Sequence, residues 1–195
     1  MKLPALPVAD PLSTLNFERL AASVEPVAVA SLPAAPRDGQ VIDYVADAIA
    51  GVVWRLRYRA ASASAYKWEF VGGSPLTNEV ATQQAGGAAG WQDLGTVGPS
   101  ITAPLAGDYM VGHGCSALWG SNAGVSYYAG VNVSGTPGFL PTRIQGAATT
   151  LVPQARRGSL SSIAAGAAVK QQVNNGGGTV TAEGRWLEMV PVRVG

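Results

Sequence analysis

The sequence predicts an all-β protein with three parts: an N-terminal extended arm, a small antiparallel β-meander and a C-terminal β-sandwich of jelly-roll type. Three observations predict it. From Val52 to Arg59, apolar Val52, Trp54, Leu56 and Tyr58 alternate with Val53, Arg55, Arg57 and Arg59. Successive side chains of a strand face opposite sides, so this is a strand with one apolar and one cationic face. A second stretch, Tyr66, Trp68 and Phe70 alternating with Lys67 and Glu69, repeats the pattern. Beyond residue 78, glycine-containing turns recur at the short spacing of a sandwich or jelly roll.

Composition fits that class. Of 195 residues, 47% are hydrophobic, 25 are glycine and 13 are proline, while only 13% are charged. The charged share is about half of the usual value, whereas disorder needs low hydrophobicity and high charge. Such a chain suits many turns and much surface in contact with other protein. The net charge of +1 leaves no basic excess for phosphates, so nucleic acid is not expected as a partner. No stretch approaches the roughly 18 apolar residues of a membrane helix, and prolines near the N-terminus stand where a signal peptide needs an apolar run. A membrane partner and an address label are therefore not expected. One cysteine, Cys115, excludes an intrachain disulfide.

The arm, residues 1–36, is punctuated by Pro4, Pro7, Pro11, Pro26, Pro33 and Pro36. Between them residues 13–24 suit a short helix with Ser13 as its cap. Leu3, Leu6, Val8, Leu12, Leu15 and Phe17 are too many apolar groups for a spacer, so the arm is read as a docking segment that orders on a partner.

The meander, residues 37–76, opens on the Asp38-Gly39 turn and a first strand over 40–46; the Arg55 strand and the Trp68 strand follow. Its aromatic face must be covered, by the rest of the chain or by a neighbour, because so few strands bury too little alone. Arg55, Arg57 and Arg59 form either a cross-strand ladder with Asp43, Lys67 and Glu69 or a binding strip for an acidic surface or an anionic glycan.

The sandwich, residues 78–195, contains strand candidates at 91–94, 100–103, 108–118, 124–133, 149–153, 158–164, 168–174, 179–182 and 185–194. Asn174-Asn175-Gly176-Gly177-Gly178 reads as a hairpin turn. The last strand is apolar on both faces before Pro191, as in a central strand or one buried by a partner.

Three segments resemble a module of tailed-bacteriophage structural proteins, of the minor tail, fibre or head-decoration type. They are Leu32-Pro33-Ala34-Ala35-Pro36-Arg37-Asp38-Gly39-Gln40-Val41, Trp54-Arg55-Leu56-Arg57-Tyr58-Arg59, and the run from Tyr66 to Leu76. The C-terminal part, with Pro104-Leu105-Ala106-Gly107-Asp108-Tyr109, the entry Ala165-Gly166-Ala167-Ala168-Val169-Lys170 and the terminal strand from Arg185, is similar to their compact, commonly trimeric jelly-roll tips of the tumour-necrosis-factor or C1q type. The resemblance implies a virion location, a homotrimer, other capsid or tail proteins as partners, and no catalytic residue.

Candidate chemistry is sparse. His113 and Cys115 are two residues apart on one strand face, the spacing of a base and a thiol nucleophile, but no third group supports them and the chain has one histidine. The plain reading is a buried thiol beside a packed imidazole, with Gly112 and Gly114 marking close approach of a ring or backbone. One His and one Cys do not make a zinc site, and no calcium or phosphate loop appears, so no metal or cofactor is expected. Trp119, Tyr127 and Tyr128 flank the turn Ser121-Asn122-Ala123-Gly124, where exposed rings would stack on a host surface glycan or anchor a protein interface, and buried ones would complete the core. A structural protein without enzymatic activity is the expectation.

Overall fold

The computed structural model describes residues 27–145 and 152–195. Its strands are β1 (Val27–Val29), β2 (Val41–Asp47), β3 (Val52–Tyr58), β4 (Trp68–Gly73), β5 (Leu76–Val80), β6 (Gln84–Gly86) and β7 (Gly90–Gln92). They continue as β8 (Ser100–Thr102), β9 (Gly107–Gly120), β10 (Ser126–Val133), β11 (Thr136–Gln145), β12 (Val152–Ile163), β13 (Ala168–Asn175) and β14 (Val180–Val194). No helix occurs among the described residues. The helix expected over 13–24 and the arm's docking residues Leu3, Leu6, Val8, Leu12, Leu15 and Phe17 lie outside them.

The strands form two sheets. The large one runs β1-β2-β3-β4-β14-β9-β12, with β5 and β6 also along β14; the small one runs β11-β10-β13-β7, with β8 also along β13. β5 and β6 lie end to end beside β14, and β7 and β8 beside β13, so each pair acts as one interrupted strand. Counted that way, the chain passes from large sheet to small at β7/β8, back at β9, across at β10 and β11, back at β12, across at β13 and back at β14. That is an eight-stranded jelly roll.

β14 is the spine. β9 flanks its whole length on one side, and β6, β5 and β4 follow one another on the other. The strand is therefore central, one of the two arrangements that its apolar faces allow. Pro191 does not end it: the chain absorbs the proline at a register shift between Pro191 and Arg193 and pairs on to Val194.

Residues 37–76, read from the sequence as a unit apart from 78–195, extend this same sheet. Glu69 and Trp68 pair with Arg193 and Val194 at the C-terminal end of β14. The inner face of the meander, with Tyr44, Trp54, Leu56 and Trp68, joins one core with Tyr109, Val111, Leu187 and Met189. The Trp54 and Tyr109 rings lie 6.2 Å apart, and Trp54 Nε1 donates to the Ser74 carbonyl at 3.0 Å. Each such side chain contributes about 1.5–3 kcal/mol by leaving water. So the aromatic face is covered by the chain itself. A second cluster holds Cys115, Leu118, Tyr127, Val173 and Val180.

The 174–178 turn is not a hairpin. β13 belongs to the small sheet and β14 to the large one, so the turn carries the chain across the sandwich. Its amide and glycine groups hold that crossing together: Gly177 N–H donates to Asn175 Oδ1 at 2.8 Å, Tyr127 O–H donates to the Gly177 carbonyl at 2.8 Å, and Asn175 Nδ2 donates to the Gly178 carbonyl. The segments 179–182 and 185–194 are one strand, and 158–164 belongs to the longer β12.

Candidate functional site

The outer face of the large sheet carries the arginine row. Arg55 Nε lies 3.0 Å from Asp43 Oδ1 on β2, and Arg57 Nη2 lies 2.8 Å from Glu69 Oε2 on β4; Arg59 Nε reaches the same oxygen at 3.3 Å. The register places Asp43 opposite Arg55 and Glu69 opposite Arg57, which is why the pairs form. The cross-strand ladder is the arrangement found. Lys67 takes no part in it; its Nζ donates to the Ser62 carbonyl at 2.5 Å. Hydrogen bonds from Arg57 and Arg59 hold the Glu69 carboxyl below its ordinary pKa against a small opposing effect of burial, and Asp43 raises that of Arg55 by hydrogen bond and charge.

Between these pairs the face is apolar. Val41, Val53 and Val71, on three adjacent strands, are 38%, 38% and 42% exposed, and Val192 on β14 is exposed as well. Val53, Val71, Gly72 and Gly73 line a shallow groove of about 250 Å³ bounded by Asp43 and Arg55. Further along the sheet, Trp186 lies across Gly114: a Cβ there would stand 2.7 Å from the indole ring and closer still to the Gln154 carbonyl. Glu188 covers Gly112 in the same way and pairs with Arg157 at 3.3 Å. The close approach expected at these two glycines is thus made by a ring, a backbone carbonyl and a carboxylate side chain.

The candidate nucleophile pair His113 and Cys115 does not have the geometry for that chemistry. Both residues are buried on the inner face of β9. His113 Nε2 lies 2.7 Å from the Leu140 carbonyl oxygen and Nδ1 lies 3.4 Å from Gln171 Nε2, so neither nitrogen is turned to the thiol. Burial pushes the Cys115 thiol up to about 11, which keeps it protonated. This is the buried thiol beside a packed imidazole.

The three aromatics expected around the 121–124 turn are separated. Tyr127 is buried in the second cluster, its ring over Gly120 and its hydroxyl accepting from Asn122 N–H at 3.0 Å, so it is a core residue and not a ligand contact. Trp119 alternates with buried Leu118 on β9 and so lies on the outer face of the large sheet. Tyr128 lies on the small sheet, half-buried, with its ring 6.4 Å from that of Trp91. Trp91, not singled out in the sequence, packs over Gly130 and Gly138, two glycines on β10 and β11 that leave room for it.

Arg185 is a second residue to which no sequence motif points. It is 2% exposed and has no carboxylate partner among the described residues; its guanidinium donates to the Gly98 carbonyl, to Gln84 Oε1 at 2.6 Å and to the Thr96 carbonyl at 3.0 Å, while Nε finds no partner among them. Burial lowers its pKa, and the neighbouring Cys115 and Asp93 oppose that. It ties the 94–99 loop to β14. A charged residue among apolar neighbours in a sequence gives no sign of such burial. Asp93 is held in turn by Lys170 at 2.6 Å and Gln172 at 3.0 Å; burial works against its ionisation, but those bonds keep its carboxyl below the ordinary value. Among the described residues no three His, Cys, Asp or Glu side chains gather where they would hold a metal.

No family model matches the chain, and no curated protein matches it. Among solved structures it is similar to one titled "Structure of infectious bursal disease virus Gx strain", with 12% identity and a TM-score of 0.39 over 72% of this chain and 42% of that one. It is also similar to the "Crystal structure of infectious bursal disease virus VP2 subviral particle", with 11% identity and a TM-score of 0.33 over 69% of this chain and 38% of that one. The chain spans less than half the length of either, and a likeness of this degree carries no argument about function.

Proposed function

We propose that the chain is a virion structural protein, a fibre or decoration subunit that docks on other capsid or tail proteins by the part of its 1–36 arm that precedes β1, since Val27–Val29 already pair with β2, and displays a trimeric jelly-roll sandwich. The exposed valines on the outer face of the large sheet carry this reading. The chain's own sandwich covers the inner face of the meander and leaves Val41, Val53 and Val71 to water, beside the Arg55–Asp43 and Arg57–Glu69 ion pairs. A low charge content of 13% favours burial of such surface against neighbours. The jelly-roll strand order and the resemblance of residues 32–76 to phage structural modules point the same way. The role is not enzymatic. Imaging of virus particles bearing a labelled copy tests it: label at fixed positions on head or tail supports the reading, and particles without label refute it.

One observation favours a second role, a receptor-binding tip that takes a host surface glycan. Trp91 and Tyr128 make a half-buried aromatic pair on the small sheet, and ring faces of this kind stack on sugars. Purified protein that blocks adsorption of virus to cells, and a Trp91→Ala variant that does not, would select this role over decoration.

A further inference from the structure

His113 is the chain's single histidine and is sealed where the two sheets meet. It stands on β9 of the large sheet, yet both ring nitrogens reach the small one. Nε2 faces the Leu140 carbonyl of β11 at 2.7 Å, so it carries the proton and donates. Nδ1 is then an acceptor, facing the side-chain nitrogen of Gln171 on β13 at 3.4 Å. The same amide nitrogen donates to the Gly114 carbonyl at 3.0 Å, and Gln171 Oε1 is buried without a partner among the described residues. The ring holds an edge that has two more ties. Arg156 Nη1 donates to the Pro141 carbonyl at 2.6 Å, and the Leu140 side chain packs over Gly158 of β12.

We propose that His113 is an acid-sensitive clasp between the two sheets, closed while the imidazole is neutral and opened when it takes a proton. A second ring proton sits on Nδ1 and points at an amide NH2, donor against donor. Relief requires the Gln171 amide to turn over, which gives Nδ1–H an acceptor. The turn takes the amide from the Gly114 carbonyl and points two N–H groups where the lone Oε1 now finds no partner. Otherwise the ring leaves its place. The first route takes β13 from the Gly114 carbonyl of β9, and the second frees β9 from β11 as well.

The surroundings give the cation no compensation. On β12, Arg156 stands opposite His113 and is like-charged. On β14 the register partner is Leu187, and the next inward side chain is the cationic Arg185. On β9 the inward neighbours are Val111 and the protonated Cys115. On β13, Lys170 is engaged with Asp93, and β11 presents a carbonyl. Burial lowers the ring's pKa and the charge of Arg156 adds to that, while the Leu140 bond opposes both. The folded-state value thus lies below the unfolded one of about 6.5. As pH falls through about 6.5 the unfolded chain binds the proton first, so stability is present above that pH and is lost below it.

A lone histidine gives one ring to follow. Nitrogen-15 NMR of the full chain from pH 7.5 to 4.5, with urea unfolding at each pH, tests the clasp. The expected result is an Nε2–H tautomer at neutral pH and a ring midpoint below about 6.5. The unfolding constant should rise by up to about tenfold per pH unit below that point. Gln171→Glu places a carboxylate against Nδ1, so its ring midpoint should rise and the slope should flatten or reverse. His113→Gln should abolish the slope; if either variant fails to fold, the wild-type ring still decides. An Nδ1–H tautomer, a wild-type midpoint at or above 6.5, or a slope that Gln171→Glu leaves unchanged overturns the proposal.

Discussion

On β3 the inward side chains Val52, Trp54 and Leu56 are buried, while Val53 and Arg55, their outward neighbours, remain exposed. The same contrast runs across β2 and β4, so the two faces of one sheet are built from one alternating pattern and differ in what lies over them. The inner face is closed by the sandwich: Trp54 packs on Tyr109, and Leu187 and Met189 complete the layer. The outer face holds ion pairs and valines with nothing from the described chain above them. Burial of apolar area stabilises far more than exposed ion pairs do. The inner face therefore accounts for folding, and the outer face is the part we propose for assembly.

Substitutions should separate the two faces. Trp54→Ala should have the largest effect, a loss of about 3–5 kcal/mol in urea unfolding, because it opens a cavity in a closed layer. Tyr109→Phe keeps the ring and removes only the hydroxyl that donates to the Leu105 carbonyl at 2.5 Å; a loss of about 1 kcal/mol is expected. Glu69→Gln breaks the pairs with Arg57 and Arg59 and should cost less than about 1 kcal/mol, with the difference shrinking in high salt. Because those arginines hold the Glu69 carboxyl below its ordinary value, the contribution is present above about pH 4.3 and is lost as pH falls through the lower folded-state value. Val53→Thr with Val71→Thr should change monomer stability by no more than about 0.5 kcal/mol, as befits exposed positions, while weakening self-association. A large stability loss in that double variant, or none in Trp54→Ala, would break the comparison.

The alternation of residues 52–59 was readable because a strand's period is local, and the burial of β3 follows it from Val52 to Leu56. The arginine ladder was readable as one of two arrangements because opposite charges stood on neighbouring strands. What failed depends on distant partners. The Asn-Gly-rich turn at 174–178 specifies a tight reversal, but not whether the strands on either side pair; here they enter different sheets. The continuity of 37–76 with the sandwich rests on β4 meeting the far end of β14, well over a hundred residues away. β11 was hidden by Pro137, Gly138 and Pro141, which an edge strand tolerates, and Leu140 takes a positive φ of 47° within it. At the 121–124 turn, neighbouring Tyr127 and Tyr128 must face opposite sides, but no local pattern says which one enters the core. Trp91 gave no signal because the glycines that receive it lie on other strands.

Sedimentation equilibrium of the full chain at micromolar concentration tests the central claim most directly, that neighbours cover the outer face. The account predicts a particle of three 19.9 kDa protomers, shifted toward single chains by Val53→Thr with Val71→Thr. A single 19.9 kDa species for the unaltered chain at every concentration would contradict it.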